Sequence, residues 1–321
     1  MIAILLIALA AGAASALMFA SMVSGALISV LLLYLAPLPL MVAALGWGPL
    51  CAAIGGIAAA IGLGATFGFA SCVAFVVMTA LPAWWLGHLV LLGRPVADPA
   101  APADGAAPAL EWYPVGRILL WIAGFAVLTT MGILFTLGTD AATIVGTMQR
   151  GVLHILELSG VAPDSEVQQL VDALVRVIPA AAAIFNVGVL TLNLWLAAKI
   201  AATSGRLHRP WPDLKTAALP PMTLVAMSAA IALCFVGGLV ALTAQTLVAA
   251  LIMAYALAGF AVLHTVTLAL KTRALWLSCT YTVVVVFSWP LLLIAALGLA
   301  DAVFGLRQRY LQTRPPPLPA A

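Results

Sequence analysis

Apolar runs dominate this chain, and short polar breaks divide them. Residues 1–18 are apolar from the start, residues 26–45 follow, and a third run begins at Gly48. A fourth ends in Trp84-Trp85, His88 and Arg94, and a fifth covers residues 117–137. After a long polar segment come runs at 179–198, 222–240, 247–270 and 274–299, with a turn expected near Gln245. Runs of roughly 18 apolar residues or more are long enough to span a bilayer core about 30 Å thick. The pattern predicts an all-α, polytopic membrane bundle of about eight or nine transmembrane helices.

Details within the runs sharpen this picture. Pro37 and Pro39 sit inside the second run and predict a kink or a broken helix. Gly48, Ala52, Gly56, Ala60, Gly64 and Gly68 recur at every fourth position. Such a stripe lets another backbone approach closely, within the chain or across a homo-oligomer. The small residues from Ala11 to Ala16 imitate a cleavage site, but no basic segment precedes them, so an uncleaved first span is expected.

Two polar stretches interrupt the apolar pattern at length. Residues 94–116 carry five prolines and three acids, which predicts a disordered cytoplasmic linker between an N-terminal group of about four spans (1–93) and a C-terminal group (117–304). Residues 140–176 instead have helical periodicity. Ile144, Val145, Met148, Val152, Ile155 and Leu156 fall on one stripe, with Gly160 as the stop. A second start follows Pro163, where Ser165 and Gln168 are spaced as a capping box. We read two amphipathic helices on the outer surface. Residues 305–321 form a polar tail.

Composition and charge agree with a membrane setting. The chain is 65% hydrophobic and 7% charged, with a mean hydropathy of +1.21, whereas soluble domains average roughly 25% charged residues. The net charge of +3 on 13 Lys and Arg is what orienting the spans requires, so no nucleic-acid partner is expected. Lys and Arg cluster near Arg94 and Arg117, at Lys199, Arg206, Arg209 and Lys215, and at Lys271 and Arg273, which places these loops on the cytoplasmic side. Arg307, Arg309 and Arg314 conflict with a single last span. Either the tail breaks the rule or the last run folds back at Pro290.

Candidate chemistry is sparse. The four cysteines and four histidines have no metal-ligand spacing, no catalytic motif is present, and neither an enzyme nor a cofactor is expected. The densest polar signal is the loop 199–215, where Ser204, Arg206, Arg209, Trp211 and Asp213 are candidates for binding a partner or lipid head groups. Its basic residues also serve orientation alone. Within the spans, Asn186 and Asn193 lie seven residues apart on nearly one helix face, and His264 sits in the eighth run. These three are candidates for interhelical hydrogen bonds or for lining a pocket.

The stretch ASMVSGALISVLLLYLAPLPLMVAALGWGPLCAAIGG, the block NLWLAAKIAATSGRLHRPWPDLKTAALPP and the closing ALGLADAVFGLRQR resemble the YybS-like predicted membrane proteins. Ser204 to Leu214 carries the most specific part of the likeness. The resemblance implies a multi-pass bacterial inner-membrane protein and no known activity. More remotely, the glycine-rich N-terminal half is similar to the substrate-binding subunits of energy-coupling-factor transporters. Two functions follow as expectations. One is a membrane scaffold or assembly factor whose basic loop meets a cytoplasmic partner or lipid. The other is a solute-binding or transport component, served by an ATPase module, with Asn186, Asn193 and the glycine stripe lining a pocket under the acidic helices.

Overall fold

The computed structural model describes residues 2–95, 110–161, 164–213 and 217–312, apart from the Ala269 side chain. It is a helical membrane bundle. Among the described residues, seven helices are long and apolar enough to cross a membrane, or eight if the bent pair near the C-terminal end counts as one. The first four crossings are α1 (Ile2–Ala20), the pair α2 (Leu27–Leu35) and α3 (Pro37–Trp47), α4 (Pro49–Phe67), and α5 (Phe69–Phe75) continued through a π-helical turn into α6 (Leu81–Leu91). Then come α7 (Val115–Leu137), the amphipathic α8 (Ala141–Leu158), α9 (Ser165–Thr203), α10 (Met222–Leu233) and α11 (Gly238–Val266). Helices α12 (Arg273–Phe287), α13 (Pro290–Phe304) and α14 (Leu306–Gln312) close the chain.

Backbone chemistry explains the joints. Pro37 has no N–H to give the Leu33 carbonyl, which takes the Ala36 N–H at 3.2 Å instead. The chain therefore bends between α2 and α3, as the prolines predict. Helices α1 and α4 pack backbone to backbone. A Cβ added at Gly12 would run into the Gly55 carbonyl, and one at Gly55 into the Ala8 carbonyl. The predicted small-residue stripe faces elsewhere within the same chain: Gly56 lies against Ala80 and Gly64 against Cys72. Its two ends, Gly48 and Gly68, are turns with φ of +98° and +88°.

One core joins both halves of the chain. Leu40, Phe75 and Leu86 from the first four crossings pack with Ile122, Val187 and Ala250 from the later ones. The ends of the proline-rich stretch are paired rather than disordered. Strands β1 (Gly93–Pro95) and β2 (Leu110–Trp112) form an antiparallel ladder with Arg94 opposite Glu111. Residues 96–109, Lys215 and the tail 313–321, with Arg314, lie outside the described residues.

Four further expectations need correction. The second amphipathic helix and the sixth span are one continuous α9 of 39 residues that carries Pro179 inside it. Its N-cap is Asp164, whose side chain accepts from the Glu166 and Val167 N–H groups, so the proposed Ser165–Gln168 box is not the cap. The seventh run holds only the 12-residue α10, about 18 Å long. The break after it falls at Gly237 and Gly238, with φ of +91° and +60°; Gln245 lies within α11.

The last run is a hairpin. Tyr281 of α12 stacks on Phe260, their ring centroids 4.9 Å apart. Then Ser288 turns the chain with a φ of +57°. Gly298 of α13 packs on Tyr255 and Gly259, and the Tyr310 hydroxyl of α14 donates to the Val266 carbonyl at 2.9 Å. Helix α12 thus meets α11 through the Tyr281 side chain, whereas α13 packs along α11. The Tyr310 contact puts Arg307 and Arg309 near the same end of α11 as Arg273.

Candidate functional site

The basic end of the bundle forms where α9 stops. Ser204 closes the helix, its hydroxyl donating back to the Ile200 carbonyl at 2.8 Å, and Gly205 turns with a φ of +66°. The loop then lies across the ends of the other helices. The Arg206 guanidinium sits 4.6 Å from the ring centroid of Trp47 at the end of α3. Lys199 places its ammonium 4.2 Å from the Trp211 ring. Both cations are exposed, and both use tryptophan faces as platforms.

Arg209 behaves differently from its neighbours. It is only 7% exposed. Its Nη1 donates to the Val90 carbonyl at 3.1 Å and its Nη2 to the Tyr113 carbonyl at 3.0 Å. Val90 is in the last turn of α6, where carbonyls have no partner within the helix. The positive charge also suits that negative helix end. Burial pushes the Arg209 pKa below the usual arginine value, but a guanidinium stays protonated in proteins. Arg209 is thus a clamp tying the fourth crossing, the fifth and the loop together. Of the five loop candidates, Ser204, Arg206, Trp211 and Asp213 face solvent and Arg209 does not.

The two asparagines serve separate joints. Asn186 Nδ2 donates to Thr130 Oγ1 at 3.2 Å and lies 3.4 Å from Thr129 Oγ1, linking α9 to α7. Asn193 Nδ2 donates to the Tyr34 carbonyl at 2.8 Å, beside the proline bend, and to the Val189 carbonyl at 2.9 Å. The cavity next to Asn186 measures about 40 Å³, too small for an organic solute. The glycine stripe instead lines a separate groove of about 430 Å³ with Ile57, Ile61 and Trp84. Asparagines and stripe are therefore not brought together in one pocket.

His264 fastens the hairpin to α11. Its Nε2 lies 2.9 Å from the Tyr281 hydroxyl, and Arg273 Nη2 lies 3.4 Å from its Nδ1. With Arg273 donating to Nδ1, the ring proton is on Nε2 and is given to Tyr281. Among the described residues, no three His, Cys, Asp or Glu side chains gather at metal-binding spacing.

A buried ion pair escaped the sequence reading. Asp301 and Arg307 are 7% and 4% exposed, and Arg307 Nη2 lies 2.7 Å from Asp301 Oδ2. Asp301 also accepts the Arg307 backbone N–H at 2.8 Å, which caps α14. The spacing of six residues across Gly305 is the one sequence cue, and it becomes legible only once the bend is known. Comparison with protein-family models, with curated proteins and with solved structures finds no match to this chain.

Proposed function

We propose that the chain is a multi-pass protein of the bacterial inner membrane, a non-enzymatic scaffold or assembly factor whose basic loop engages anionic lipid head groups on the cytoplasmic face. The observation that carries this reading is the pair of exposed cations, Lys199 and Arg206, held over Trp211 and Trp47. Tryptophan prefers the interfacial depth of a bilayer, and Lys or Arg beside it meets head-group phosphates. The excess of Lys and Arg at this end makes it the cytoplasmic one. The likeness to YybS-like proteins supports the same compartment. Arg209 is not part of the docking set, because its guanidinium is spent on two carbonyls within the fold.

The test is native mass spectrometry of the full chain released from vesicles of phosphatidylglycerol and phosphatidylcholine. The parent chain should retain phosphatidylglycerol preferentially, and the Lys199→Ala/Arg206→Ala double variant should lose about thirtyfold of that preference, since each of the two surface cations contributes about 1 kcal/mol. Equal retention by parent and double variant would sink the lipid reading. A stoichiometric protein that leaves with the double variant would point to a protein partner instead. The solute-binding reading draws its support from another part of the molecule.

A further inference from the structure

We infer that the cytoplasmic end of the α11–α13–α14 unit is a binding site for a small neutral organic molecule with an amide or hydroxyl group. A cavity of about 370 Å³ lies there, within the size range of ligand sites. Its apolar walls include Ala258 and Leu219, and Gln308 and the Asp301–Arg307 pair border it. Tyr255 lines it too. That tyrosine is 1% exposed, and its hydroxyl has no hydrogen-bond partner of sound geometry among the described residues. Thr223, the side chain nearest that hydroxyl, gives its own hydrogen to the Pro220 carbonyl, so it has none to donate to Tyr255 and can serve it only as an acceptor.

Three arguments define the occupant. A buried hydroxyl left without a partner is costly, so native proteins almost always supply one. A single water needs only about 30 Å³ and several polar partners; one water satisfies Tyr255, but the further waters needed to fill the space would lie against Ala258 and Leu219 with few polar partners. Among the described residues that line the cavity, the ionic groups Asp301 and Arg307 neutralise each other through short contacts, with Arg307 Nε also donating to Asp301 Oδ2 at 2.8 Å. A charged ligand would bring a charge that nothing there balances. The complement is therefore a neutral molecule whose polar end meets Tyr255 and the Gln308 amide and whose apolar body lies along Ala258 and Leu219. Arg307, Gln308 and Leu311 of α14 line the cavity on one side, and Ala218, Leu219 and Pro221 on another. Helix α14, bent 67° from α13 and pinned by Asp301, is the cover.

Benzamide is the probe, with benzoate and benzylammonium as charged counterparts, in saturation-transfer NMR on the full chain in nanodiscs. Benzamide should give a saturable signal, and both ions signals at least about fivefold weaker. Tyr255→Phe, which keeps the shape of the side chain, should weaken benzamide about tenfold. Ala302→Phe, which fills the cavity from α13, should abolish the signal; if that variant does not insert into membranes, Tyr255→Phe decides alone. The Lys199→Ala/Arg206→Ala variant should bind benzamide as the parent does, which separates this site from the lipid-docking loop. Absence of saturable benzamide binding, binding indifferent to both substitutions, or benzoate binding as strongly as benzamide would overturn the proposal.

Discussion

The two ends of the bundle are fastened by opposite means. At the basic end, cations reach sideways across the fold: Arg209 to two carbonyls, Arg206 and Lys199 to tryptophan faces. At the acidic end, carboxylates act locally. Asp140 caps α8 by accepting from the Thr143 N–H at 2.9 Å, Asp164 caps α9, and Asp172 takes a hydrogen bond from Gln149 of α8 at 2.8 Å. Each sign of charge sits where the helix ends want it, cations at carbonyl ends and carboxylates at N–H ends. The charges that thread the chain through the membrane also close its helices. The difference is one of range, because the Arg209 contacts join elements about a hundred residues apart in sequence while most of the carboxylate contacts stay within a few residues.

Range predicts the order of effects. Arg209→Ala strips two carbonyls of their donor and unties three elements, so it should cost about 3 kcal/mol of stability, read by denaturant unfolding in nanodiscs. Arg209→Lys should rescue little, because one ammonium lacks the fork that reaches both carbonyls. If Arg209→Ala unfolds like the parent chain, the contrast between the two ends fails. Asp164→Ala removes a local cap and should cost about 1 kcal/mol. Hydrogen exchange should place that loss in the first turn of α9 and leave the basic loop as protected as before.

The smallest effect is one of pH. Hydrogen bonds from the Thr143 side chain and backbone hold the Asp140 pKa below the ordinary carboxylate value in the folded protein. A lowered folded pKa means that its contribution is complete above the unfolded value, about 3.9, and is lost as pH falls through the folded one. Exchange at the N-terminus of α8 should therefore quicken only on acidification below about pH 4, while the Arg209 contacts stay unchanged. Loosening of both ends together would show that the acidic cap is not an independent unit.

Much of this architecture was readable from residue patterns, and the failures share a cause. The first six crossings follow from run length, and the bend at Pro37 follows from the missing N–H. Gly160 is likewise the predicted stop of α8, with the Val161 N–H returning to the Leu156 carbonyl at 3.0 Å. Hydropathy could not see the turns at Gly237-Gly238 and Ser288, because they occur within apolar sequence and change direction without changing polarity. The helix start expected after Pro163 is where α9 begins, but the boundary suggested at Pro179 is one that α9 runs through. At the candidate site, Arg206 and Trp211 are exposed, as residues of a polar surface loop should be. The burial of Arg209 was hidden because its partners, Val90 and Tyr113, are backbone carbonyls whose identity leaves no mark in sequence. Tyr255 was hidden for a similar reason, since its surroundings arise from the hairpin.

Helix α9 gives the molecule a mechanical property. Its 39 residues make a rod of about 58 Å, nearly twice the thickness of the hydrocarbon core. The capped acidic end and the segment bearing Lys199 and Arg206 thus sit at the two ends of one continuous helix. A tilt of about 5° swings one tip by about 5 Å relative to the other, so a push on the acidic surface is delivered to the opposite face as displacement.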